Sequence, residues 1–334
     1  AKEPHPKKED AIVGLYEAID NLAGVYKSIG DYNKAGDLLF YSYNQKKSRF
    51  PTDNTETNLS EILIGQYYNS INEYDKALQY LADGLAKLEN AKGDYLIWKA
   101  DAAYAIALAY ENKKETDKAK EYYIQSETFF EEAYQGEYDD IYLDFLRNTA
   151  LFYATHKQYE KAIANATKAY KYLVSVRQEK KLPGFYQLLN MAEVEYLSGR
   201  YKESARYSER ALSITKDIIK ESNNLLDSTK IEMYKPRAIL IHAKAGYQLE
   251  PQKNISYLSG LTQQLSEALQ ILEKRKAIID DPASINILIS ENTELIDFAK
   301  KIELELYRLT QDDSHLNKLI NLHESGLYNR IRSN

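Results

Sequence analysis

A residue pattern that returns about every 42 residues constrains this chain more than any other feature. In each copy, a stretch rich in small residues is followed by a turn, and then by an alanine or serine three residues into the next stretch. This residue stands at positions 35, 77, 119, 162 and 204, so the spacings are 42, 42, 43 and 42 residues. A period held over five copies indicates stacked helical units, because one unit cannot bury its apolar face alone.

The residue types at the repeated positions have packing reasons. Two helices approach closely only where the side chains are small, and the first helix of each copy carries a small residue for this contact: Ala23, Gly65, Ala107, Ala150 and Ala192. A tyrosine opens four of the five second helices, and its ring is large enough to fill the wedge between neighbouring hairpins. The turn at 112–116 of the third copy lacks a glycine, and we expect it to be looser than the others.

This arrangement resembles the tetratricopeptide repeat (TPR). The first copy carries the resemblance at Leu22, Ala23, Tyr26, Gly30, Tyr32 and Ala35. The resemblance covers about residues 11–215 and implies an all-α fold, a right-handed α-α superhelix (TPR solenoid) of about seven helical hairpins. The common TPR has a period of 34 residues. The additional residues here are therefore expected to lengthen both helices by about one turn each.

Three segments are predicted along the chain. Residues 1–10 are charged and contain proline, and we expect a disordered tail there. Residues 11–222 hold the five TPR units, and Asn58 or Ser60 is expected to cap the first helix of the second unit. Residues 223–334 keep the pattern only weakly and are predicted to form two degenerate TPR-like hairpins.

The two degenerate hairpins are predicted from helical segments separated by proline, aspartate and glutamine clusters. The sixth hairpin pairs residues 234–249, with Pro236 in the first turn, with residues 257–279. The seventh pairs residues 285–309 with a helix that starts near residue 315.

The C-terminal segments 305–316 and 322–331 resemble the repeat that directly precedes a CHAT domain, which is a caspase-like module. The resemblance implies the recognition or regulatory region of a larger TPR–CHAT protein, continuing into a further C-terminal domain. The alternative is the extracytoplasmic TPR sensor region of a bacterial signalling protein. The chain begins at Ala1 without a methionine, so a removed secretory signal and a trimmed sequence are equal alternatives, and cytoplasmic and exported or periplasmic locations both stay open.

Composition and motifs exclude several functional classes. The net charge is −6 without a basic cluster, which argues against nucleic acid as a partner. The absence of cysteine excludes disulfides, thiolate metal sites and cysteine nucleophiles. No apolar run reaches the roughly 20 residues of a membrane span, and no phosphate loop or catalytic motif is present. We therefore predict no catalytic residue, no metal and no cofactor, and a hydrolase site within the solenoid is the weaker alternative.

The concave groove lined by the first helices is the remaining candidate site. The TPR resemblance places amides, aromatics and a few charges there, and the candidate contacts are Asn21, Gln66, Asn69, Tyr104, Glu111, Arg147, Asn148, Tyr186, Asn190 and Tyr196. Only Arg147 and Asn148 resemble the carboxylate clamp of chaperone-binding TPRs, whose lysines are absent. We therefore expect a non-enzymatic scaffold that binds a protein or peptide, or a C-terminal domain of the same polypeptide.

Overall fold

The structure, a computed structural model, describes residues 6–51, 54–91, 93–134, 136–221, 225–279 and 281–332, with only the backbone described at 6–10 and 325–332. These described residues form fifteen α-helices and no strand, which confirms the predicted all-α fold. The chain divides into two compact units, residues 1–141 (unit 1) and 142–334 (unit 2).

The helices follow one another as hairpins. Unit 1 contains α1 (Pro6–Ser28), α2 (Tyr32–Arg49), α3 (Thr55–Ser70), α4 (Tyr74–Glu89), α5 (Leu96–Asn112) and α6 (Thr116–Ala133). Unit 2 contains α7 (Asp140–Thr155, which begins at the boundary), α8 (Tyr159–Ser175), α9 (Leu182–Leu197), α10 (Tyr201–Glu221), α11 (Leu225–Leu249), α12 (Ile255–Ile278), α13 (Pro282–Glu291), α14 (Thr293–Thr310) and α15 (Asp313–Arg332).

The turn inside each of the first five hairpins has the same backbone conformation. One residue in each has a positive φ, and these residues have the same spacing as the repeat: Gly30, Asn72, Lys114, Lys157 and Gly199. The left-handed residue lets the next amide reach back to the end of the first helix. In the glycine-free third turn, the Glu115 amide donates to the Tyr110 carbonyl at 2.9 Å and the Lys114 amide donates to the Glu111 carbonyl at 2.9 Å. The prediction of a looser turn there is therefore wrong.

Small residues hold the two helices of each hairpin together, as their side-chain size requires. The alanines of the repeat positions in both helices are fully buried. A Cβ atom added to Gly65 would lie 2.5 Å from Cγ of Leu81, so no larger residue fits there without a shift. In the fifth hairpin, Ser204 replaces the alanine of the second helix and donates its hydroxyl to the Ala192 carbonyl at 2.7 Å.

Each of the first four hairpins also has a lysine that lies over a tyrosine ring. Lys34, Lys76, Lys118 and Lys161 lie 4.9–5.4 Å from the rings of Tyr26, Tyr68, Tyr110 and Tyr153. In the fifth hairpin Glu195 takes the place of the tyrosine and is buried, where it accepts a hydrogen bond from Arg200. Burial raises the pKa of Glu195, although Arg200 opposes that rise. This departure from the repeat therefore exchanges a cation–π contact for an ion pair.

The structure corrects two predicted helix starts in unit 1. Helix α1 begins at Pro6, so residues 6–10 of the predicted disordered tail are helical, and residues 1–5 lie outside the described residues. Proline is favoured at the first helical position because its missing N–H would be unpaired there anyway. Helix α3 is capped by Asn54, whose side chain accepts from the Glu56 amide at 2.9 Å. The predicted caps Asn58 and Ser60 are instead buried inside the helix.

The structure also corrects the degenerate hairpins in unit 2. Helix α11 begins at Leu225, nine residues before the predicted start, and Pro236 lies inside it. Proline removes one backbone hydrogen bond, but the preceding turns bury Ile231 in the cluster that includes Ala211 of α10. The predicted single helix at 285–309 is divided at Asn292, whose side chain donates to the Leu288 carbonyl at 2.8 Å.

Candidate functional site

Helices α7, α9 and α11 are the first helices of successive hairpins in unit 2, and buried amides link α9 to α7. Gln187 donates Nε2 to the Leu143 carbonyl at 3.0 Å, and Asn190 donates Nδ2 to the Arg147 carbonyl at 2.9 Å. Both amide side chains are nearly inaccessible to solvent. Because these bonds join side chain to backbone, they set the spacing of the two helices without using the charged groups nearby. We call this surface of unit 2 the α7–α9–α11 face.

Arg147 lies beside two tyrosine rings on this face. Its guanidinium carbon is 5.1 Å from the ring centre of Tyr186 and 5.9 Å from that of Tyr234. The two rings meet edge to face with centres 4.9 Å apart. Arg147 also forms an ion pair with Asp144, one helical turn earlier. We call these four residues the Arg147 cage, and Arg147 and both tyrosines are half-buried in it.

The electrostatics of the Arg147 cage keep both phenols protonated. Burial raises the pKa of Tyr186, and the neighbouring Tyr234 raises it further, while Arg147 opposes the rise. Burial likewise raises the pKa of Tyr234. The cage therefore presents two neutral hydroxyl groups beside the ion pair of Arg147 and Asp144. Asn148 extends it, because its Nδ2 donates to the Asp144 carbonyl at 3.0 Å.

A chain of ion pairs continues the face from α9 to α11 and α14. Glu193 pairs with Arg237, Arg237 pairs with Glu294, and Glu294 pairs with Lys244. We call these four residues the α9–α11–α14 network. The Lys244 ammonium also lies 4.5 Å from the ring centre of Tyr196. Burial alone would raise the pKa of Glu294, but Arg237 and Lys244 outweigh it and hold the pKa below its usual value.

The predicted contacts of unit 1 form a different arrangement. Gln66 accepts from Lys27 at 3.3 Å and donates to Asp101 at 2.5 Å, so one amide connects a cation and a carboxylate on three first helices. Asn69 donates to the Ala105 carbonyl at 2.7 Å. Asn21 is exposed on α1.

Two further candidates of unit 1 lie on the side of α5 that faces α6. Tyr104 is only 5% exposed, with its ring centre 6.4 Å from that of Tyr123. Glu111 accepts from the Tyr123 hydroxyl at 2.5 Å. The side chain of Tyr104 therefore supports the hairpin and does not reach the surface.

The structure thus brings Arg147, Asn148, Tyr186 and Asn190 together, while Tyr196 lies on the same helix as Asn190 beside Lys244. Asn190 is fully buried and acts as a support. The sequence patterns did not indicate Asp144, Tyr234, Arg237 or Lys244 of this face. Asp144 was detectable as the acid one turn before Arg147. The other three lie on α11, where the repeat register had already been lost.

A second concavity lies between α12, α13, α14 and α15 in unit 2. It has a volume of about 430 Å³, and leucine and isoleucine are the commonest residues of its lining. Two carboxylates reach it, and each has a lysine partner: Glu273 with Lys276 at 3.0 Å and Glu303 with Lys318 at 4.0 Å. His315 also contacts Glu303, at 2.7 Å. The concavity is therefore apolar with compensated charges around it.

Two features are absent from the described residues. No group of three or more histidine, aspartate or glutamate side chains there could hold a metal ion. None of the helices in that part of the chain combines the length and apolar character needed to cross a membrane.

Comparison with known proteins places the fold. The sequence matches no protein-family model and no curated protein. The apo form of RapI has a similar structure, with a TM-score of 0.56 and 14% identity over 91% of this chain and 99% of RapI. BtubC (BKLC) from P. vanneervenii has a TM-score of 0.55 and 12% identity over 77% of this chain and 94% of BtubC.

A third similar structure is a chain of the APC/C hetero-tetramer Cut9–Hcn1. It has a TM-score of 0.53 and 14% identity over 89% of this chain and 47% of that chain. At these identities the likeness concerns the fold alone. Together with the five turns of one conformation and the buried small residues between paired helices, it identifies the chain as an all-α protein built from TPR-like helical hairpins.

Proposed function

We propose that this chain is a non-enzymatic scaffold that binds a protein or peptide segment on the α7–α9–α11 face of unit 2. The observation that carries the proposal is the Arg147 cage, where a half-buried arginine lies against two half-buried tyrosine rings. Tyrosine and arginine dominate the binding energy of protein interfaces, because they combine large apolar area with directional hydrogen bonds.

The charges of the face favour a segment with little net charge. The carboxylates of Asp144, Glu193 and Glu294 are balanced by three cations on the same face. A charged partner that paired with only the cations or only the carboxylates would leave the opposite charges without partners, which is costly in a half-buried site. The tyrosine hydroxyls and the Asn148 amide instead offer neutral hydrogen-bonding groups to a peptide backbone.

Rigidity supports the same proposal. The hydrogen bonds of Gln187 and Asn190 fix α9 against α7, the helices that carry Tyr186 and Arg147 of the cage. A partner therefore does not have to order these helices when it binds. Within this proposal Arg147, Asn148, Tyr186 and Tyr196 contact the segment, and Asn190 positions them. Asn21, Gln66, Asn69 and Glu111 are proposed as a separate set of contacts in unit 1, supported by the buried Tyr104.

Selection of peptides from a random library against the purified chain tests this function. Amide hydrogen exchange is then measured with and without a selected peptide. We expect added protection in residues 144–148, 186–196 and 234–244. The matched selection uses the Arg147→Ala chain, and peptides that bind both chains equally or protect only unit 1 would overturn the assignment to this face.

We further propose, from the resemblance of 305–316 and 322–331, that the scaffold is the regulatory region of a larger TPR–CHAT protein. The structure places these segments at the end of α14 and in α15. The partner on the α7–α9–α11 face would then be a substrate or the peptidase-like domain itself. The parent reading frame tests this, because a following region with a CHAT-type histidine and cysteine supports it. A membrane span there would instead favour the sensor region of a signalling protein.

A further inference from the structure

The apolar concavity between α12, α13, α14 and α15 continues into a polar cleft, and we call the concavity the α12–α15 cavity. Its volume of about 430 Å³ is that of a small-molecule site, since such sites span about 300–1,000 Å³. The cleft has a volume of about 470 Å³ and is lined mainly by polar side chains of α12 and α15. Thr262, Ser266 and Lys318 line both, so one continuous space has an apolar end and a polar end.

The cavity lies where the helices depart from the repeat. Helix α14 packs against both α12 and α15, as a first helix does between two second helices. The segment before it is divided at Asn292, so that α13 adds a fourth wall. Leu288 and Ile289 of α13 line the cavity together with Ile296 and Ala299 of α14. The cavity is therefore a space between packed helices and not the uncovered side of a single helix.

The lining of the α12–α15 cavity favours a hydrocarbon chain. Leucine and isoleucine supply most of its apolar side chains, and none of its described lining residues is phenylalanine, tyrosine or tryptophan. Aliphatic side chains stabilise a bound chain in proportion to the apolar area that leaves water. Ring-shaped ligands are instead held best by the faces and edges of aromatic side chains. We therefore expect an unbranched aliphatic chain in the apolar end.

The junction of the cavity and the cleft offers a cation and an unpaired hydroxyl group. The Lys318 ammonium lies 4.0 Å from Glu303, and the side chain of Lys318 is 55% exposed. His315 contacts the same carboxylate at 2.7 Å, so Lys318 can pair with a ligand without leaving the buried Glu303 alone. The hydroxyl of Thr262 is buried without a hydrogen-bond partner among the described residues. A ligand carboxylate supplies both an anion for the lysine and an acceptor for the hydroxyl.

We propose that the α12–α15 cavity binds a free, unbranched aliphatic carboxylate, which is the chemistry of a fatty acid. The hydrocarbon chain lies among the leucine and isoleucine side chains, and the carboxylate lies at the junction beside Lys318 and Thr262. This site shares no residue with the Arg147 cage or the α9–α11–α14 network. It therefore goes beyond the binding of a peptide segment on the α7–α9–α11 face, and either proposal can fail without the other.

Calorimetric titration with decanoate, below the concentration at which it forms micelles, is the first test. The dissociation constant should fall about fourfold for each methylene added from hexanoate to decanoate, which corresponds to about 0.8 kcal/mol per methylene. Leu269→Trp should abolish binding, because Leu269 is a half-buried lining residue and the larger ring would fill the space. Circular dichroism confirms that this variant is folded. A wild-type chain that does not bind decanoate, or that binds hexanoate equally well, would overturn the proposal.

Substitution of Lys318 tests the placement of the carboxylate. Lys318→Met should weaken the binding of decanoate about tenfold and leave the binding of decanol unchanged. The matched control Lys274→Met changes an exposed lysine of α12 that lines neither space, and Arg147→Ala changes the separate face of unit 2. Both should bind decanoate like the wild type. Equal weakening by Lys318→Met and Lys274→Met would overturn the proposal. So would decanoate-dependent protection from amide hydrogen exchange that appears only outside residues 262–276 and 288–299.

Discussion

The two units link their first helices in the same way but place different groups beside the links. In unit 1, Asn69 donates across to α5, and Gln66 connects a single lysine and a single aspartate. In unit 2, Asn190 donates across to α7, and the surrounding groups are the Arg147 cage and the α9–α11–α14 network. Amide bonds to the backbone therefore set the helix spacing in both units, whereas the added charges and tyrosines distinguish the surface of unit 2 that we propose as the binding face.

The amide links differ in burial, and this difference gives the largest expected effect. Asn190→Ala removes a fully buried side chain and its hydrogen bond, and we expect the free energy of unfolding to fall by about 2–3 kcal/mol. Asn69→Ala should cost no more than about 1 kcal/mol, because Asn69 is half-buried and water can replace it. Urea unfolding of both variants measures this, and equal losses would show that the links are equivalent.

The α9–α11–α14 network gives the next effect. Arg237→Met removes the cation between Glu193 and Glu294. Glu193 is 8% exposed and would be left without a cation. We therefore expect the free energy of unfolding to fall by about 1–2 kcal/mol, after allowing for the partly exposed arginine. Lys113→Met is the control in unit 1, where the partner Asp75 is largely exposed, and its unfolding should change little. A control that loses as much as Arg237→Met would contradict the distinction between the two units.

The hairpin turn offers a matched pair of substitutions with a smaller effect. Gly199 in unit 2 has a φ of 76°, and an added Cβ would meet no atom within 4 Å, so Gly199→Ala should cost about 1 kcal/mol from the backbone alone. Lys114→Gly in unit 1 relieves the same backbone strain but raises the conformational entropy of the unfolded chain. The two effects on the free energy of unfolding should cancel to within about 0.5 kcal/mol. Thermal unfolding compares them, and a clear loss in Lys114→Gly would mean that the lysine side chain itself holds the turn.

The smallest of these effects is the weakening of the α9–α11–α14 network by acid. The folded pKa of Glu294 lies below its ordinary value of 4.5, so its ion pairs contribute stability that is present above that pH and is lost as the pH falls through the folded value. Its side chain is 44% exposed, so the contribution is limited to several tenths of a kcal/mol. Unfolding between pH 6 and pH 3 should therefore be slightly less pH-dependent in Lys244→Met than in the wild type. The opposite order would contradict the assigned ion pair.

Much of the fold could be predicted from the sequence, because side-chain size at Ala35, Ala77 and their counterparts constrains helix approach directly. The tight turn at Lys114 could not, since a left-handed lysine has no signal in the residue type. The early start of α11 also escaped prediction, because burial of Ile231 outweighs the cost of Pro236 only once α10 is in place.

Residues of the candidate site could be predicted only where the repeat register is recognisable in the sequence. Arg147, Asn148 and Asn190 follow from positions on first helices within the strict repeats. Tyr234 and Lys244 lie on α11, beyond the last strict copy, and no period assigned them to the same face. Their role depends on how α11 packs on α9, which sequence spacing alone does not contain.

The most direct test of the central claim is the affinity of one selected peptide for three chains, measured by isothermal titration calorimetry. Arg147→Ala empties the Arg147 cage, whereas Lys113→Met removes an exposed ion pair of unit 1 that belongs to neither proposed set of contacts. We predict at least about a tenfold weaker dissociation constant for Arg147→Ala, equivalent to about 1.4 kcal/mol, and an unchanged constant for Lys113→Met. Unchanged binding by a folded Arg147→Ala chain would contradict the claim that unit 2 carries the binding face.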